Sequence, residues 1–197
     1  MFNLVQGKDH EQGFSLVELL AAITILSIVS LVLTAYFTNA LSYSKQNQNK
    51  TIMVNLGRNA LSFMEKMEFD ALSDYFINQN HTSISPSGCV RTGNQLDCTT
   101  YNQLLNISNP AVLPAILQPE INGITYEVTI EYQSQLKDEL DPTKDPTKDP
   151  TKVPTLDPTK AAKYLLPVQV KVVGQGNKAS KGNETIVEGY ITDERIR

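Results

Sequence analysis

Residues 13–26 read "GFSLVELLAAITIL", and one acid, Glu18, stands at the entrance of a long apolar run. From Leu19 to Phe37 the sequence is "LLAAITILSIVSLVLTAYF", 19 residues without a charge. About 20 apolar residues are needed to cross the hydrocarbon core of a bilayer as a helix. A carboxylate in such a segment costs about 2.5–3.5 kcal/mol at the helix centre and less near the interface. An acid kept there despite that cost tends to have a function and a partner.

Around this segment the 197-residue chain has room for one domain of ordinary size plus an appendage. Its formal net charge of −4 gives no electrostatic reason to hold nucleic acid or an anionic membrane surface through the bulk of the protein. The two cysteines, Cys89 and Cys98, pair if the chain is exported and stay free thiols if it is cytosolic. The apolar segment therefore decides the redox question as well.

An ordinary secretory signal has a basic n-region, an apolar core of about 7–15 residues and a small-residue cleavage site. The leader "MFNLVQGKDHEQG" sets Lys8 against Asp9 and Glu11, and the apolar run is too long for that pattern. A plain signal anchor suits the length but leaves Glu18 without a reason. The string "G-F-S-L-V-E" resembles the class III signal of type IV pilins and related pseudopilins. The resemblance implies cleavage by prepilin peptidase between Gly13 and Phe14, and N-methylation of Phe14. It also places Glu18 where the family has its glutamate, which is thought to neutralise the new terminal amine of a neighbouring subunit. A buried charge without a partner is costly, so such a pair would set axial register as subunits leave the lipid.

The resemblance further implies a single-pass precursor in the inner or cytoplasmic membrane, held through residues 19–37, and then a filament at the cell surface or in the periplasm. Its partners would be prepilin peptidase, other pilin subunits and the pilus assembly platform. Ser27 and Ala35 stand where many members carry a helix-weakening glycine and proline. A continuous helix is the expectation, a trait met more often in pseudopilins and minor pilins.

Past Phe37 a polar stretch contains no helix breaker. Met53, Leu56, Ala60, Phe63 and Met67 then recur at helical spacing, with Arg58, Glu65, Lys66 and Glu68 opposite. The stripe is read as core contact with a sheet, and the helix is expected to run from Phe14 to about Tyr75, roughly 90 Å. Three later segments alternate as strands: residues 124–132, 164–173 and 184–192, the last two joined by "GQGNKASKGN". Antiparallel sheet packed on the helix stripe gives an α+β, pilin-like architecture. The chain divides into a leader (1–13), an assembly helix (14–37) and an extracytoplasmic head (38–197).

In "CVRTGNQLDC", Gly93 and Asn94 suit the centre of a type II′ hairpin turn. Counting outward pairs Thr92 with Gln95, Arg91 with Leu96, Val90 with Asp97, and Cys89 with Cys98. The cysteines then fall at a non-hydrogen-bonded pair, with Cα atoms about 4.5 Å apart, within disulfide geometry. A disulfide-stapled hairpin is predicted, without the adhesive role that C-terminal disulfide loops have in some pilins.

Residues 141–160, "DPTKDPTKDPTKVPTLDPTK", place proline every fourth residue, which forbids helix and sheet ladders. They read as an insertion on the first strand connection: a tolerated repeat expansion ahead of a surface stalk or variable loop. Deleting them should leave folding intact. No phosphate loop, nucleophile elbow or metal-ligand spacing occurs, His81 has no catalytic companion, and neither enzyme activity nor cofactor nor metal is expected. The large insertion and stapled hairpin lean toward a minor filament subunit. The alternatives are a pseudopilin of a type II secretion or competence DNA-uptake machine, and a membrane-anchored surface binding protein that never polymerises. For DNA uptake, Lys171, Lys178 and Lys181 make only a thin basic patch.

Overall fold

The computed structural model describes residues 15–93, 95–140, 163–175 and 184–196. The leader, the 141–160 repeat and most of the glycine-rich loop lie outside them. The chain divides into two units, Met1–Gln46 and Asn47–Arg197. One α-helix, α1 (Leu16–Met64), runs unbroken through Ser27 and Ala35, as the absence of glycine and proline predicts.

In the first unit every described residue of α1 is exposed. In the second, α1 packs on an antiparallel sheet through Met53, Gly57, Ala60 and Met64. That stripe is turned from the one read in the sequence, because Leu56, Phe63 and Met67 are only partly buried at its margins. The displacement has a steric cause at Gly57. A Cβ there would stand 2.8 Å from Val187 Cγ2 and 3.5 Å from Val172 Cγ2, so the bare backbone is what lets the helix approach the sheet. The sheet answers in kind: a Cβ on Gly189 would meet Leu61 Cδ2 at 2.4 Å. Val187 fits over one glycine and Leu61 over the other.

The helix ends at Met64, short of the expected Tyr75. Lys66 N–H donates to Phe63 O and Met67 N–H to Met64 O, which tightens the chain into turns. Glu68 is extended, and a short helix α2 (Phe69–Ser73) continues into a π-turn over Asp74–Asn78. No glycine or proline marks the break. Packing decides it: Leu72, Tyr75 and Phe76 are all buried in the core, and burial outweighs a helix propensity worth tenths of a kcal/mol per residue.

The main sheet has the order β1–β5–β6–β7, where β1 is Ser83–Ile84, β5 is Ile124–Tyr132, β6 is Leu165–Gln175 and β7 is Glu184–Thr192. A two-residue β4 (Glu120–Ile121) also pairs with β5, and every pairing is antiparallel. β5 and β7 coincide with the segments read from alternation. Tyr126, Val128 and Ile130 of β5 and Leu166, Val168, Val170 and Val172 of β6 face the core. Pro167 fits inside β6 because its carbonyl accepts from Gln133 N–H at the last rung toward β5. The donor it lacks falls where that ladder ends.

Short helices α3 (Thr99–Leu104) and α4 (Val112–Leu117) add Tyr101, Leu105, Leu113 and Leu117 to the same core. A fifth helix, α5 (Ser134–Leu140), follows β5, and its Lys137 Nζ donates to Leu165 O at 2.6 Å. None of these three was read from the sequence. The result is α1, with α3 and α4 in the same core, packed on an antiparallel sheet, an α+β arrangement as expected.

At the C-terminal side, Asp193 is 3% exposed. Arg195 Nε donates to its Oδ2 at 2.7 Å, and the same guanidinium reaches Asp70 Oδ1 at 2.7 Å. The Arg195 hydrogen bond holds the Asp193 carboxyl below the usual aspartate range, against the opposing effect of burial.

Candidate functional site

Glu18 lies in the first turn of α1. Its N–H donates to Ser15 O at 3.0 Å and lies 3.2 Å from Ser15 Oγ, so Ser15 caps the helix. Ser15-x-x-Glu18 is thus the sequence pattern of a capping box, a signal overlooked in the sequence reading. An acid here is also favoured by the helix dipole. Local helix chemistry therefore supplies one reason for Glu18, and puts its carboxylate at the rim of the apolar run rather than in its middle. The side chain is exposed. Gly13 and Phe14 lie outside the described residues.

Beyond Glu18 the apolar side chains clothe the helix on all sides. From Leu16 to Tyr43 the large hydrophobics are 48% to 78% exposed. A helix that is apolar all round belongs inside a protein or a membrane. α1 is long and apolar enough to cross a bilayer. Four of its hydroxyls are turned back onto their own helix. Thr24 Oγ1 donates to Ala21 O, Ser27 Oγ to Ile23 O, Thr34 Oγ1 to Ser30 O and Thr38 Oγ1 to Ala35 O, all at 2.8–2.9 Å. Hydroxyls satisfied in this way leave no bare donor in lipid.

The predicted hairpin is present. β2 (Val90–Thr92) pairs with β3 (Gln95–Asp97) in the register counted from the turn, and Gly93 takes φ +62°. Cys89 and Cys98 form a disulfide with Cα atoms 4.5 Å apart. Behind it the chain is held by Tyr101, whose ring occupies the space a side chain on Gly88 would need. His81 stacks on Tyr75 with ring centroids 4.2 Å apart. Among the described residues no group of three His, Cys, Asp or Glu is placed to hold a metal ion.

The family model for the prokaryotic N-terminal methylation motif matches residues 8–34. No curated protein and no solved structure matches the chain. Residues 8–34 contain Gly13, Phe14 and Glu18 together with most of the apolar run, so the chain carries a type IV pilin-type signal at the head of its exposed helix.

Proposed function

We propose that this protein is a structural subunit, and a minor one, of a type IV pilus or pilus-like filament. The observation that carries the reading is the coincidence of the methylation motif with a helix whose apolar surface is uncovered over its whole first unit. The precursor sits in the membrane through residues 19–37 with its leader in the cytoplasm. Prepilin peptidase cuts after Gly13, Phe14 becomes a methylated N-terminus, and the helix exchanges lipid for neighbouring subunits. Glu18 answers the terminal amine of the next subunit. The capping by Ser15 suits this role, since it keeps the first turn helical. The role is one of assembly and not of catalysis. The size of the insertion and the stapled hairpin support a minor subunit, because a bulky head is hard to repeat along a shaft.

The first test is mass spectrometry of the N-terminal peptide from the protein in its own host. An N-methylated peptide beginning at Phe14 is the expected result, and an intact Met1 end would overturn the reading. Glu18→Ala then separates a filament subunit from a mere anchor: the subunit matures but fails to enter the filament, whereas an anchor is indifferent.

A further inference from the structure

The outer edge of β7, which no described element covers, is the surface the assembly reading leaves without a use. Antiparallel ladders alternate, so both backbone groups of a residue point to the same neighbour. Asp193 N–H donates to Tyr164 O, and the register pairs Ile191 with Leu166, Gly189 with Val168, and Val187 with Val170. The odd residues of β7 therefore bond to β6. Ile186, Glu188 and Tyr190 turn their N–H and C=O groups the other way, where no described element pairs with them. These residues are also the exposed ones, Ile186 at 49% and Tyr190 at 43%. The strand is nine residues long and contains no proline and no lysine, two devices by which proteins blunt such edges.

Charge selects the occupant. On the solvent face, one row across the sheet reads Glu131, Gln169, Glu188. Gln169 Nε2 donates to Glu131 Oε2, and the nearby Lys171 Nζ is held by Glu184 at 3.0 Å. Glu188 is left without a cation among the described residues. Two copies of β7 paired antiparallel about Glu188, or about Ile186, would set glutamate opposite glutamate, which is destabilising. The edge thus disfavours its own copy in those two registers, while a strand of opposite sign is favoured wherever its cation falls opposite Glu188.

We propose that the β7 edge binds an extended strand of a different protein, with a lysine or arginine opposite Glu188 and apolar residues opposite Ile186 and Tyr190. Main-chain hydrogen bonds to the three outward residues supply affinity, and the Glu188 contact supplies sign selection. The proposal does not depend on cleavage at Gly13 or on filament assembly.

The test uses the full chain in detergent and a blocked nine-residue peptide of alternating valine and threonine with a central lysine. Amide hydrogen exchange should slow at Ile186, Glu188 and Tyr190, while the odd-numbered amides, already bonded to β6, should not change. Glu188→Lys should weaken binding of the lysine peptide by about tenfold, and the same peptide with a central glutamate should regain it. Methylating the peptide nitrogens that face β7 should abolish binding by either. Unchanged exchange at the three amides at millimolar peptide would overturn the proposal, as would binding insensitive to the charge exchange. Slowed exchange at these amides with rising protein concentration alone would also overturn it, since that is pairing between copies.

Discussion

The two stretches of α1 are the same secondary structure with opposite surroundings. Leu26, in the first unit, is 66% exposed, while Met64, in the second, is 0% exposed. Both are helical and both are apolar, so neither propensity nor hydrophobicity distinguishes them. What differs is the distribution around the axis. The first stretch is apolar on every side and needs a surrounding medium. The second is apolar on one side and needs a single partner, which the sheet provides.

Truncation to alanine sharpens this contrast most. Met64→Ala should lower the unfolding free energy by about 2–5 kcal/mol in chemical denaturation. Leu26→Ala should stay within about 0.5 kcal/mol in the same measurement. Equal effects at the two sites would break the comparison.

Removing the staple comes next. The Cys89→Ser, Cys98→Ser double variant should lose about 2.5–3 kcal/mol, since the closed loop is short and the loss reflects restored freedom in the unfolded chain. A third variant tests the close approach of helix and sheet. Gly57→Val should cost about 1–3 kcal/mol through the clash with Val187, although valine is the better helix former. A gain in stability would mean that the interface can open without loss.

The smallest effect is expected at the C-terminal clasp and depends on pH. The Asp193 carboxyl is depressed in the folded protein, so its stabilisation is present above the unfolded aspartate value of about 3.9 and is lost as pH falls through the lower folded value. Arg195→Met should therefore lower the melting temperature at neutral pH, and the gap from the parent should close in strong acid. A gap constant with pH would mean that Arg195 acts through packing over the Tyr164 ring alone.

How much of this could be read beforehand followed the kind of signal. β5 and β7 were legible because polar and apolar residues alternate along them, and the hairpin because Gly93 and Asn94 fix its register. The signal segment was legible as a short motif with its apolar run. The break after Met64 was not, because residues 65–68 contain no breaker and the turn is imposed by the burial of Leu72, Tyr75 and Phe76. The centre of the helix stripe was misplaced because hydrophobicity gives no weight to Gly57, which matters for what it lacks. α3, α4 and α5 are six or seven residues long, too short for periodicity to declare itself. At Glu18 two signals share one residue: the family motif, and the helix cap that Ser15 makes three residues before it.

The back-bonded hydroxyls of the first unit have one further consequence. With Thr24, Ser27, Thr34 and Thr38 turned onto their own carbonyls, the apolar stretch of α1 carries no charge between Glu18 and Phe37. Two such helices lying side by side could slide past each other by a turn with nearly the same contact at each stop. In the proposed assembly, Glu18 is then the one charge that can fix position along that length.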